Sequence, residues 1–258
     1  MQRSSPLSSP IPWLSAGQDF PSVDTAWGTR DPAPGLLAAG GVLDVPTLIK
    51  AYAHGIFPWY SAGQPVLWWS TDPRMVLKPS AFRLHRSLRK AIHAFAADTG
   101  CSIRFDSAFA TVIRACASRE RHGQSGTWIV PEMIEAYIAL HEAGHAHSVE
   151  TWRDGVLVGG LYCINLGRMV FGESMFAYET DTSKIALAAL VAFCRQHAID
   201  MIDCQQNTGH LASLGASEIS RGAFAAHVSS RLQTPPPVWQ FDPVYWQQIL
   251  PKTKADTL

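Results

Sequence analysis

From residue 131 onward, apolar and polar positions keep two rhythms in turn, one of helices and one of strands. A helical stretch opens at Pro131 with Ile134, Tyr137, Ile138 and His141 along one face, and Gly144 marks its end. SVETWR, VLVGGLYCINL and RMVFGESMF follow, separated by Asp154-Gly155 and a break at Gly167. Short apolar runs bounded by such turns predict a three-stranded antiparallel meander. Thr180 to Thr182 then offers caps for a helix through about His197, with Ile185, Ala188, Ala189 and Phe193 buried. IDMIDCQ reads as a short inner strand and HLASLGA as a brief helix. Phe224 and Val228 share the buried face of a last helix, and TPPPVWQFDP trails as an extended tail.

Upstream the pattern is less regular. Residues 1 to about 30, rich in Ser and Pro, lack periodicity and predict a poorly ordered or draped arm. Asp44 caps a helix that has Pro46 in its first turn, Leu48, Ala51 and Tyr52 on one face, and Gly55 as its stop. Phe57, Trp59, Tyr60, Trp68 and Trp69 then gather around a Gly63–Pro65 turn, as a small aromatic core or as one wall of a ligand cleft. RLHRSLRKAIHAF and SAFATVIRACASR have helical spacing. The order predicts an α+β protein in two parts. A small aromatic-rich N-terminal domain occupies residues 1–80, and a domain with a mixed, largely antiparallel sheet flanked by helices occupies 81–258.

Composition narrows the partners. Net charge is zero across 258 residues, so a nucleic acid must be held by a local patch. Arg83, Arg86, Arg89 and Lys90, with His85 among them, form one such patch. Arg114, Arg119, Arg121 and His122 form a second. The five cysteines are odd in number and include no C-x-x-C pair, and no secretory signal is evident. That usage predicts free thiols in a reducing cytoplasm. No apolar run approaches the ~20 residues of a membrane helix.

Candidate chemistry gathers between Arg168 and Gln205. Glu173 and Asp203 lie in apolar runs, where a carboxylate is costly unless something holds or uses it. A second signal misleads. His141-Glu142-Ala143-Gly144-His145 matches the H-E-x-x-H pattern of zinc peptidases, with His147 beyond. That chemistry needs both histidines on one face of a continuing helix, and Gly144 ends the helix between them. No metal is expected.

The strand order resembles the GNAT acetyltransferase fold, whose members usually grip coenzyme A with a glycine-rich loop before the long helix. Here that loop reads FAYETDTSK, without glycine and with Glu179 and Asp181, so no coenzyme is expected. GLLAAGGVL, YAHGIFPWY, VLWWSTDPRMVL, GTWIVPEMIEAYIALHEAGHAHSVETW, GGLYCINLG, FGESMF, IDCQ and HLASLGA together resemble the leucyl/phenylalanyl-tRNA–protein transferase family. The match runs in order from about Gly35 to Ile219.

The resemblance implies transfer of Leu or Phe, and Met less well, from aminoacyl-tRNA to proteins beginning with Arg or Lys, which marks them for the N-degron pathway. It implies Asp203 and Gln205 as the catalytic pair, the aspartate polarising the glutamine that contacts the attacking amine. Alternation along a strand would set both on one face. Glu173 would hold the amino group of the ester or place the acceptor. Leu161, Val170, Met175 and Leu187 would line the side-chain pocket. Tyr52, Trp59, Trp128 and Tyr137 would border it and meet the 3'-terminal adenosine. Arg83, Arg86, Arg89 and Lys90 would meet acceptor-stem phosphates. Val170 stands where a bulkier aromatic is usual and Tyr178 where a methionine is. Two rival readings are a coenzyme A-dependent N-acetyltransferase and a non-catalytic tRNA-binding module.

Overall fold

The computed structural model describes residues 10–118 and 129–250. Residues 1–9 of the expected arm lie outside the described span, and the part from residue 10 is draped over the first sheet: β1 (Trp13–Leu14) pairs in parallel with β2 (Leu36–Gly40). Helix α1 (Val45–Ala53) starts as predicted, with the Asp44 carboxylate accepting from Thr47 N at 2.9 Å. It ends at Gly55, whose φ of +72° suits glycine, and whose α-carbon faces the Phe224 ring so closely that a methyl group would sit 3.0 Å from it. β3 (Phe57–Pro58) and β4 (Leu67–Trp69) complete the sheet, which has the order β1-β2-β4-β3 among the described residues.

The larger sheet begins at β5 (Arg74–Leu77), ahead of the expected boundary after residue 80. Helix α2 (Arg86–Ala97) buries Leu88, Ile92 and Phe95, and β6 (Cys101–Phe105) leads to α3 (Phe109–Ser118). Helix α4 (Pro131–Glu142) precedes the predicted meander of β7 (Ala146–Arg153), β8 (Val156–Leu166) and β9 (Met169–Ala177). Helix α5 (Thr182–Gln196) returns the chain to β10 (Ile202–Asp203), and α6 (Gly209–Ser213), β11 (Ser217–Ile219) and α7 (Arg221–Leu232) follow. Among the described residues this sheet has the order β11-β5-β10-β9-β8-β7-β6. Only β9 and β10 run parallel within it. The tail ends in a 3-10 turn, Pro243–Gln248, that seats Trp246 in the core.

Two apolar layers cover the two faces. Tyr162, Ile164 and Phe171 pack with α1, α3, α4 and the small sheet. Leu161, Cys163 and Val170 pack with α2 and α5. The alternation is that of a pleated strand buried on both sides. The N-cap of α5 falls inside the predicted Thr180–Thr182, at Asp181 with φ 66°, but without a side-chain capping hydrogen bond, while the Thr182 hydroxyl donates to Val158 O at 2.9 Å.

Candidate active site

The parallel pairing of β9 and β10 stops at Phe171 and Asp203. Beyond it the two chains part, and a cavity of about 450 Å³ lies between them, lined by residues 172–175 on one side and by Cys204, Gln205, Gln206 and Thr208 on the other. A crevice past the carboxyl ends of parallel strands is where open sheets commonly bind ligands. Leu161, Met175, Leu187, Leu190, Ile202 and Leu211 make its apolar side. Trp59 stands at its rim, its backbone oxygen accepting from Trp69 Nε1 at 2.6 Å.

Glu173 enters this cavity through an irregularity. Across β8 and β9, Tyr162 faces Ser174 and Cys163 faces Gly172, so Glu173 has no opposite residue. It is the extra residue of a β-bulge, a device that re-aims one side chain without shifting the rest of the strand. Its Oε1 accepts from Tyr52 Oη at 2.8 Å and from Gln205 Nε2 at 3.3 Å. Tyr52 spends its only proton there, so Tyr137 Oη is the donor in the 2.5 Å contact between the two hydroxyls. Burial pushes the Glu173 carboxyl up to about 8; the Tyr52 hydrogen bond opposes this, the Asp203 charge adds to it and Arg74 counters it. Burial, reinforced by the Glu173 charge, raises both tyrosines well above their ordinary range.

Asp203 is placed differently. It is 0% exposed and does not line the cavity. Arg74, 1% exposed, grips it with both arms: Nε to Oδ1 at 2.8 Å and Nη2 to Oδ2 at 2.6 Å. Oδ1 also accepts the backbone N–H of Gln205 at 3.0 Å. The expected polarising contact between aspartate and glutamine is thus made to the glutamine's backbone, not to its side chain. The alternation argument fails for a local reason. β10 ends at Asp203, and Gln205 turns out of the strand at φ +53°.

The other expected positions divide. Glu173, Gln205, Trp59, Leu161, Met175 and Leu187 meet at the cavity. Val170 does not: it points into the layer under α5, facing Ile202 across the parallel pair. Tyr52 and Tyr137 are fully buried behind Glu173, so they back the carboxylate rather than present a stacking face. Trp128, with Arg119, Arg121 and His122, lies outside the described residues. Arg83, Arg86, Arg89 and Lys90 are exposed on and just before α2. The start of this run touches the segment that contributes Leu211 to the cavity: His85 Nε2 meets Ser213 O at 2.8 Å and Arg83 N donates to Leu214 O. Sequence reasoning missed Arg74, Leu190, Ile202 and Leu211. Arginine inside an apolar strand, VLWWSTDPRMVL, was the available signal for the first.

The histidine motif is taken apart by the fold. Helix α4 stops at Glu142, with Gly144 at φ +81°, and His141 turns its Nδ1 to Ala146 O and stacks on Phe109. His147 pairs with Asp106 at 2.7 Å and stacks on Trp239. No cluster of three or more potential metal-binding side chains occurs among the described residues.

Comparisons with known proteins agree with the motif reading. The sequence model described as leucyl/phenylalanyl-tRNA protein transferase matches residues 76–229, and that of the same family's N-terminal domain matches 41–72. The chain is similar to the leucyl/phenylalanyl-tRNA–protein transferase of Polaromonas sp., with 66% identity over 96% of this chain and 97% of the relative. It is also similar to those of Albidiferax ferrireducens, 60% identical over 96% and 98%, and Leptothrix cholodnii, 58% identical over 93% and 95%. Among solved structures it is similar to FemX, with a TM-score of 0.44 and 11% identity over 67% of this chain and 66% of that one. A GCN5-related N-acetyltransferase from Kribbella flavida has a TM-score of 0.33 and 10% identity over 67% of this chain and 60% of that one. Matched by sequence along nearly all of its length, the chain belongs to the leucyl/phenylalanyl-tRNA protein transferase family.

Proposed function

We propose that the protein moves leucine or phenylalanine from the 3' end of aminoacyl-tRNA to the α-amine of proteins that begin with Arg or Lys. The observation that carries this is the cavity's two-sidedness. An apolar slot built from Leu161, Met175, Leu187 and Leu190 leads to a carboxylate, Glu173, hydrogen-bonded to an amide, Gln205. The slot takes the donor's side chain. One methylene in such a pocket discriminates by only ~1–3 kcal/mol, so methionine is a weaker donor rather than an excluded one.

The ester is already activated, so the protein's tasks are alignment and one proton. The neutral amine nitrogen adds to the ester carbonyl carbon, and the bond from that carbon to the ribose oxygen breaks. Glu173 accepts the amine's proton and returns it to the departing ribose oxygen, leaving a peptide bond and free tRNA. An N-terminal ammonium has a pKa of ~7.7–8.0, so part of the acceptor is already the neutral nucleophile, and a carboxyl raised to about 8 is basic enough to take the proton that this nitrogen sheds as it becomes an amide. Gln205 donates to Glu173 and orients the incoming nitrogen. Asp203 keeps Gln205 in place from behind. The exposed Arg83, Arg86, Arg89 and Lys90 hold acceptor-stem phosphates.

These substrates place the work in the cytoplasm; among the described residues no helix is long and apolar enough to cross a membrane. Incubation with labelled phenylalanyl-tRNA and an Arg-initiated protein tests the reading. Label should appear at the acceptor's N-terminus, and label that stays on tRNA counts against it.

A further inference from the structure

Gln205 is the pivot of the proposed site, yet its backbone is in the left-handed region, at φ +53°. A glutamine pays for that conformation and keeps it only when its surroundings over-determine it. Three contacts do so. The Gln205 N–H donates to Asp203 Oδ1 at 3.0 Å. Gln205 O accepts from Thr71 Oγ1 at 3.1 Å and from Met75 N at 3.3 Å. The first depends on where Asp203 points, and Asp203 points where Arg74 holds it.

Arg74 is itself fixed from every side. Its Nη1 donates to Gly55 O at 3.1 Å, and its guanidinium carbon lies 4.7 Å from the centre of the Phe57 ring and 4.5 Å from that of Phe224. The bidentate fork to Asp203 sets both the position and the rotation of the carboxylate. We propose that Arg74 is a positioning residue for the transfer reaction: through the Asp203 carboxylate it locks the turn at Gln205 that aims the side-chain amide at Glu173. Because Gly55 and Phe57 lie just after α1, the same clamp ties the small sheet's region to the geometry of the site. This inference rests on the reading of the Glu173–Gln205 cavity as the place of transfer.

The test is a double-mutant cycle with Arg74→Lys and Gln205→Asn. Lysine keeps the charge and loses the fork; asparagine tolerates the left-handed turn and is too short to reach Glu173. Single-turnover transfer of phenylalanine is measured per folded mole, the folded fraction coming from circular dichroism, together with the affinity for phenylalanyl-tRNA. Misplacing a catalytic group by about 1 Å can cost ~10²-fold, so Arg74→Lys should slow transfer by roughly 10- to 100-fold with tRNA affinity within about twofold. Gln205→Asn should have a loss of the same order. The double variant should be no more than about threefold slower than the slower single, because the two changes remove one arrangement.

Full rate in Arg74→Lys overturns the proposal, as do losses that multiply in the double variant. If Arg74→Lys does not fold, Asp203→Asn takes its place in the same cycle with the same expectations. If the wild-type protein moves no label, the functional reading is lost, and the side-chain amide resonance of Gln205 decides the geometric one. A shift of that resonance in the Arg74 variant supports the clamp, and an unmoved resonance overturns it.

Discussion

Two carboxylates stand on either side of one short strand end, and the fold treats them oppositely. Asp203 is sealed away and paired with a fully buried arginine whose own remaining arm is also occupied. Glu173 opens on a cavity, and its carboxylate accepts from a phenol and an amide, both neutral. The first arrangement fixes a position. The second leaves a proton free to move at a pH near 8. A carboxylate whose two oxygens are both taken by an arginine fork has no free edge to offer a substrate. A carboxyl that burial raises to about 8, with Arg74 offsetting only part of the rise, is a good proton acceptor at the alkalinity of an N-terminal amine.

The strongest way to break this contrast is to remove the mobile carboxyl. Glu173→Gln keeps shape and hydrogen bonding and should lower single-turnover transfer by about 10²- to 10⁴-fold, with phenylalanyl-tRNA affinity nearly unchanged. A loss of affinity equal to the loss of rate would assign Glu173 to binding instead. Next comes the fixed pair. Asp203→Ala leaves Arg74 buried and unpaired and should destabilise the fold by about 3–5 kcal/mol in urea titrations, with a sharp loss of turnover. The combination Arg74→Met with Asp203→Leu should recover much of that stability and none of the activity. Recovery of activity would mean that the pair is only a staple.

A smaller effect sharpens the other side. The Tyr52 hydrogen bond holds the Glu173 carboxyl down, so Tyr52→Phe should move the acid limb of the pH–rate profile, where Glu173 ionises to act as base, to higher pH and cost about 1.5–3 kcal/mol of stability at high pH. Stability should also follow Glu173. Its folded pKa is raised, so between the ordinary carboxylate range and about pH 8 the folded state holds a proton that the unfolded state has lost. The contribution is therefore largest in acid, falls as pH rises by at most ~1.4 kcal/mol per unit, and levels off above pH 8, whereas Glu173→Gln removes this slope. Least of all should the surface arginines touch either carboxylate. Replacing Arg83, Arg86 and Arg89 should flatten the salt dependence of tRNA binding by about 0.7–0.9 per lost phosphate contact, while turnover at saturating tRNA stays the same.

The same contrast explains what the sequence could reveal. Glu173, Gln205 and Trp59 lie in long motifs, and Asp44 and the meander follow from local rules of capping and alternation. Those rules act over a few residues. The Arg74–Asp203 pair joins positions 129 apart, across an antiparallel pairing of two short strands that no periodicity announces. The bulge at Glu173 and the left-handed turn at Gln205 break the period-2 pattern on which a strand is read, so strict alternation misassigns both. Val170, placed in the pocket by the resemblance, lies three residues before Glu173 in the regular part of the strand and packs in the layer under α5 instead. Burial of Tyr52 and Tyr137 was legible from their helix faces, but their joint contact with one carboxylate was not.

The most direct measurement is a carbon-13 NMR titration of protein labelled at glutamate side-chain carboxyls, with Glu173→Gln as the assignment control. One resonance, absent from that variant, should titrate near pH 8, while carboxyls on the surface titrate near 4 to 5. If the Glu173 resonance instead titrates with the surface group, the carboxyl is an ordinary anion at neutral pH and the division of labour between it and Asp203 is contradicted.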